Sequence, residues 1–350
     1  AKLDAGKNEA SKSEYEIILR ELNSETEKID PHLFFRVYNN LGVCELNFGN
    51  PDRAAELFEK AYSFEPEQPT AIANYALSKM LKDKPKDGLT IVNKLLKEHP
   101  NHNHAISVKA NILHALKQYN ELIPFLKKNG KTALVYWYSG FEAMDKKDYD
   151  IAISFFENLI NLEPKNTKAH LLAAQNVMVG TKEFFKENAF PSDKIPPPIK
   201  EKFIKAISWL KRVIELLQDE EQKSDLEMAY TNLSGCYVAI GIFDEALGVA
   251  DKATAIDSTS AIPFLNKGIA QLKTGKHKEA INSFRRYKEL GGGDIDADRH
   301  IAFCYLRAGD LDTAEKIIVP LLEQEGSLDL DIAELGVELY SRRLNNEKLE

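Results

Sequence analysis

A helix–loop–helix frame recurs every 34 residues along this chain, and that period constrains the fold more than any other feature of the sequence. Phe35–Gln68 set above Pro69–His102 places Pro66 over Pro100. Ala133–Asn166 repeats the frame with Gly140, Ala152, Phe156 and Pro164, and Glu227–Ser260, Ala261–Asp294 and Ile295–Leu328 follow at the same period. A repeating supersecondary unit cannot bury its apolar face alone, so such a chain must stack its units into one continuous core. Composition allows this: 43% of the residues are hydrophobic and 29% charged, which argues against disorder.

The recurring residues share positions. The eighth residue of each unit is small: Gly42, Ala76, Ala110, Gly140, Ala174, Ser234, Gly268 and Ala302. The eleventh is aromatic at Tyr237 and Tyr305. The twentieth is Ala54, Ala152, Ala246, Ala280 and Ala314, with Gly88 and Leu122 departing from the pattern. Small residues at the eighth and twentieth positions let two antiparallel helices approach closely. Gly49-Asn50-Pro51, Lys146-Lys147-Asp148, Gly241, Gly275 and Gly309 sit where a first helix must turn into a second. In these marks the chain resembles the tetratricopeptide repeat. The resemblance implies an all-α, right-handed superhelical solenoid of about eight hairpins with terminal capping helices.

The expected organisation is a capping helix in 1–34, with Ser13–Leu22 as its amphipathic part, then an array over 35–180 with units starting near 35, 69, 103, 133 and 167. The third unit spans only 30 residues, so its second helix, around Glu121–Lys128, is short. A Pro/Phe-rich insertion over 181–200, holding Phe184, Phe185, Phe190 and Pro196-Pro197-Pro198, interrupts the fifth unit and is expected to stay non-helical through its prolines. The second helix of that unit is expected at Glu201–Gln218. A second array over 201–328 and a capping helix in 329–350 complete the chain, the last helix presenting Arg342 and Arg343 on its outer side.

The resemblance also implies that the second, fifth, sixth, ninth, twelfth and thirteenth positions of each unit face a concave groove where partners lie. Asn40, Asn74, Asn232 and Asn266 recur at the sixth position. Amides carry donors and an acceptor, so this row could clamp a peptide backbone, or it could tie neighbouring helices together. Trp137, Tyr138, Phe141, Met144, Leu171, Leu172 and Met178 form an apolar stretch that either meets a partner or is filled by the adjacent insertion. Lys273, Asp296, Arg299, His300 and Arg307 give the groove a charged end, which suits an acidic partner or is simply a solvated helix face. Some members of the family grip a C-terminal carboxylate with a Lys/Asn set. The corresponding windows here, Asn39, Val43, Asn74, His104 and Val108, or Thr231, Gly235, Asn266, Asp296 and His300, keep only the middle Asn.

Signals for chemistry are weak. Cys44, Cys236 and Cys304 each fall at the tenth position, facing the hairpin interior. Cys236 and Cys304 lie two units apart, roughly 20 Å at helix spacings of about 10 Å, beyond disulfide reach. Unpaired thiols fit a reducing, cytoplasmic setting, although a chain that begins with Ala also fits a periplasmic or membrane-associated mature form. His99, His102, His104 and His114 cluster in sequence, but they span a loop and a helix start, so no metal or other cofactor is expected. Asn129-Gly130-Lys131-Thr132 has the end of a phosphate loop without its earlier glycine or preceding strand. No nucleophile, base and orienter can be assembled. A net charge of −8 counts against nucleic acid, and no stretch is long and apolar enough to be an integral membrane segment. The expectation is a non-catalytic protein–protein adaptor or scaffold. The alternatives are a sensor or assembly arm of a larger protein or of a secretion or motility complex, and then, least supported, an enzyme.

Overall fold

The computed structural model describes residues 5–24, 30–182, 195–217, 223–323 and 330–347. Among the described residues there are eighteen helices and no strand. The chain divides into two compact units, Ala1–Lys146 and Lys147–Glu350.

The first unit holds α1 (Ala5–Ser24), α2 (Pro31–Asn47), α3 (Pro51–Phe64), α4 (Pro69–Leu81), α5 (Pro85–Glu98), α6 (Asn103–Ala115), α7 (Tyr119–Lys128) and α8 (Thr132–Asp145). Each helix packs on its sequence neighbour, and the first helices of successive hairpins also touch, α2 with α4 and α4 with α6. Proline opens α2, α3, α4 and α5, where its missing N–H costs nothing. Side chains cap the starts as well: Asp30 accepts from His32 N–H, Gln68 from Ala71 N–H and His102 from Ala105 N–H. The short α7 carries Pro124 in its interior.

The second unit holds α9 (Tyr149–Leu162), α10 (Thr167–Gly180), α11 (Pro197–Leu216), α12 (Lys223–Ala239), α13 (Phe243–Ile256), α14 (Ile262–Lys273), α15 (His277–Glu289), α16 (Asp294–Ala308), α17 (Leu311–Glu323) and α18 (Leu330–Glu347). Neighbours again pack in order, and α10 touches α12, α12 touches α14, and α16 touches α18.

Close packing at the small positions has an atomic cause. A Cβ on Gly42 would stand 2.6 Å from the Phe58 ring, and one on Gly268 would stand 2.6 Å from the Phe284 ring. Both rings are fully buried, so neither has room to yield. Gly88, a departure from alanine in the repeat, is equally constrained: its Cβ would meet the Ala76 carbonyl oxygen at 2.5 Å. Most first helices end in a left-handed residue. Gly49, Gly241, Gly275 and Gly309 adopt it, and so do Asp83, Lys117 and Lys147. The next amide then reaches back to close the helix end, as in Asn50 N–H to Glu45 O (2.9 Å) and Lys276 N–H to Gln271 O (2.8 Å).

Two expectations need correction. The triple proline does not stay outside the helix: Pro196 is the N-cap of α11, and Pro197 and Pro198 form its first turn, where no intrahelical N–H bond is lost. The last helix does not turn its arginines outward. Arg342 donates to Leu306 O and Glu338, and Arg343 pairs with Asp312 and Glu315. Val337, Tyr340 and Leu344 are exposed apolar side chains of the same helix. Phe184, Phe185 and Phe190 lie outside the described residues.

Candidate functional site

In the first unit the asparagine row is a hydrogen-bonded chain. His104 Nε2 lies 2.6 Å from Asn74 Oδ1, Asn74 donates to Asn39 at 2.5 Å, Asn39 to Asn40 at 3.3 Å, and Asn40 to the Tyr15 hydroxyl at 3.0 Å. Asn74 is buried and Asn40 half-buried. These amides tie α1, α2, α4 and α6 to one another. On α8, Tyr138 is buried in the core, its hydroxyl donating to Asn111 Oδ1 at 2.7 Å, and burial pushes its phenol up to about 12. Trp137, Phe141 and Met144 are half-buried. The Trp137 and Phe141 rings meet edge to face at 5.2 Å, and Phe141 also sits 5.1 Å from the His114 ring. His114 and His102 thus have packing and capping roles.

In the second unit Leu171 belongs to the core with Val177, Phe203, Leu210 and Val213. Leu172 and Met178 are half-buried. Asn266 is buried, donating to Thr231 O (3.1 Å) and Ser234 Oγ (2.8 Å), which ties α14 to α12. Asn232 is half-buried, and its side chain makes no hydrogen bond to another described residue. Four residues read as groove-facing, Asn74, Tyr138, Leu171 and Asn266, therefore turn their side chains into the packing.

A cavity of about 260 Å³ opens in the second unit among α14, α16 and α18. Its apolar surface comes from Ile269, Leu272, Phe303 and Leu335, and its charged surface from Lys273, Arg299, Arg307, Glu334 and Glu338. Glu338 is held by Arg342 at 2.6 Å and lies 3.6 Å from Arg307, whose guanidinium also stacks over the Phe303 ring at 4.6 Å. His300 lies flat on Phe284, ring centroids 4.8 Å apart. Burial, with Arg299 and Lys273 adding positive charge nearby, pushes its imidazole down to about 4. His300 is therefore neutral at physiological pH.

Four residues of this cavity, Lys273, Arg299, His300 and Arg307, are among those the sequence places at the groove's charged end, whereas Glu334 and Glu338 are not. Nor is its apolar half. A signal for that half does exist: Ile269 and Phe303 occupy the ninth position of their units and Leu272 the twelfth. Every cavity residue from α14 and α16 falls at a fifth, sixth, ninth, twelfth or thirteenth position. Among the described residues no group of three His, Cys, Asp or Glu side chains could hold a metal ion, and no helix is long and apolar enough to cross a membrane.

Two tetratricopeptide-repeat family models match the chain, over residues 1–72 and 46–112. With the helical hairpins in both units, these matches make the chain a tetratricopeptide-repeat protein. Over 75 residues it is 31% identical to serine/threonine-protein phosphatase T of Trypanosoma brucei brucei, which is 21% of this chain and 16% of that protein. Over 90 residues it is 27% identical to the protein SGT1 homolog of Bos taurus, covering 26% of this chain and 27% of the other. The chain thus spans less than a third of the length of these curated relatives. A monomeric IFIT1 mutant solved with Gppp-AAAA shares its fold at a TM-score of 0.55 and 16% identity, covering 96% of this chain and 77% of that one. Solenoids of this kind generally mediate protein–protein interactions.

Proposed function

We propose that the protein is a non-catalytic interaction scaffold that holds a partner protein on the first helices of its hairpins, with the cavity among α14, α16 and α18 as an anchoring point. One observation carries the reading. The cavity residues of α14 and α16 coincide with the repeat positions that, by the family resemblance, face the ligand. Its mix of apolar wall and charged rim is that of a protein-binding pocket, where a buried anchor is ringed by polar groups. Trp137, Phe141 and Met144 of the first unit, with Leu172 and Met178 of the second, are proposed as further contacts along the same helices.

Affinity capture with mass spectrometry, run on the full chain, tests this. We expect the pair Phe303→Ala with Arg307→Glu to lose a defined set of captured proteins while circular dichroism stays that of the wild type. A Trp137→Ala with Phe141→Ala pair reports separately on the first-unit surface. Retention of every captured protein by the cavity variant sinks the reading for this site.

A further inference from the structure

The outer face of α18 departs from a rule that stacked repeats otherwise obey. An outermost helix of such an array keeps the face that meets water polar. α1 follows the rule: among its described side chains Ile17 is the one large apolar group exposed, beside Ser13, Glu14, Arg20, Glu21 and Ser24. On α18, Leu335 and Leu339 are buried against Leu306 of α16 and Ile318 of α17. At about 100° of turn per residue, Val337, Tyr340 and Leu344 fall on the far side. They are 68%, 46% and 58% exposed. Leu322 of α17, 44% exposed, widens the stripe, since its Cδ1 would stand 3.0 Å from a Cβ at Gly336. We propose that this face joins two copies of the chain, α18 against α18, antiparallel about a two-fold axis. The proposal is independent of the cavity and of the scaffold reading.

Spacing is the first reason for a second copy. Val337 and Leu344 stand symmetrically about the Tyr340–Ser341 peptide. An antiparallel pair centred there sets Val337 of each copy against Leu344 of the other, and Tyr340 against the small Ser341. Charge is the second. Chains of net charge −8 repel one another, so a contact between copies must lie where charge is locally balanced. Arg342 is held by Glu338, which Arg307 also approaches at 3.6 Å, and Arg343 is held by Asp312 and Glu315. Glu334 is the one exposed charge among the described side chains of α18. In the antiparallel pair the two copies of Glu334 would stand about 20 Å apart, more than a Debye length at physiological salt.

The third reason is the contrast with α1. Its polar outer face offers no matching stripe, so a head-to-tail contact, which would propagate into a filament, has no apolar counterpart. A two-fold contact uses the same stripe twice and closes at two copies. The stripe is small. Four large apolar side chains per copy fall well short of the roughly 20–30 residues a side of a standard interface. The expected dimer is therefore of micromolar affinity.

Sedimentation equilibrium on the full chain tests this. We expect the weight-average mass to rise from 39.5 kDa toward twice that value between about 1 and 200 µM. Val337→Lys with Leu344→Lys should weaken association at least about tenfold with circular dichroism unchanged. If the paired lysines disturb folding, Tyr340→Ser is expected to weaken it in the same direction. Ile17→Lys is expected to leave it as it is. A monomer at every concentration overturns the proposal, and so does a dimer that the α18 variants leave intact. Mass that grows past two copies, or association lost on Ile17→Lys, overturns the two-fold arrangement in favour of head-to-tail assembly. A monomer that loses captured proteins on Val337→Lys with Leu344→Lys assigns the face to a different protein and overturns the self-contact.

Discussion

Asn74 shows how one side chain decides between two meanings of the same position. An asparagine at the sixth residue of a unit could offer its amide to a ligand. At 2% exposure, with Asn39 and His104 already bonded to it, Asn74 has spent both ends of that amide on its own fold. Since the Asn74 carbonyl accepts, His104 must donate from Nε2, which gives the chain of amides one direction from α6 back to Tyr15. Asn74→Ala should therefore cost about 1–3 kcal/mol, because it removes two hydrogen bonds made by a buried amide. Asn232→Ala, at the same position in the sixth unit but half-buried and unbonded among the described residues, should stay within about 0.5 kcal/mol. Urea midpoints of the two variants measure the contrast. Equal shifts would mean that the amide chain contributes nothing to stability.

At the scale of elements, the helix ends separate what the sequence states openly from what it hides. Glycine at positions 49, 241, 275 and 309 announces the left-handed residue that ends a first helix, and the structure places it there. Asp83 and Lys117 do the same work without a glycine to mark it, so those two turns are legible only from the period. A non-glycine residue pays about 1 kcal/mol or somewhat more for that conformation. Asp83→Gly should then stabilise the first unit by about 1 kcal/mol, and Gly49→Ala should destabilise it by a similar amount. No atom lies within 4 Å of a Cβ at Gly49, so the second change reads the backbone cost alone. Thermal melts of both variants check the pair, and shifts of the same sign would contradict it. Other limits on legibility have the same local character. Repeat numbering tells which way a helix position points along the array, but not how deeply the side chain sinks. Tyr138 and Leu171 are each 5% exposed, because neighbouring helices close over them. Prolines at 197 and 198 read as helix breakers until one sees that they fall in the first turn of α11. Arg343 of α18 reads as a solvated face because its carboxylate partners on α17, Asp312 and Glu315, lie 31 and 28 residues away, and Arg342 because the Leu306 carbonyl it reaches on α16 lies 36 residues away.

Across the whole molecule, the three cysteines give each compact unit an internal reporter. Cys44 lies in the first unit, Cys236 and Cys304 in the second, and none is more than 1% exposed. Burial pushes the Cys236 and Cys304 thiols up to about 12, and the Cys44 thiol upward too, so the reactive thiolate is scarce while the helices stay closed. A thiol reagent can reach them only when the packing opens, and repeat arrays open locally as well as globally. Labelling at pH 8 without denaturant should run at least about a thousandfold slower than in urea-unfolded chain, the factor expected if opening costs several kcal/mol. Mass spectrometry resolves the three sites, so the rate at Cys44 follows the first unit and the other two follow the second. Asp83→Gly should slow labelling at Cys44, because it stabilises the turn between the two helices of the neighbouring hairpin. Phe284→Ala should speed it at Cys304, since losing a fully buried ring from the core costs about 3–5 kcal/mol. Rapid modification of any of the three in the native protein would mean that its hairpin does not pack as described.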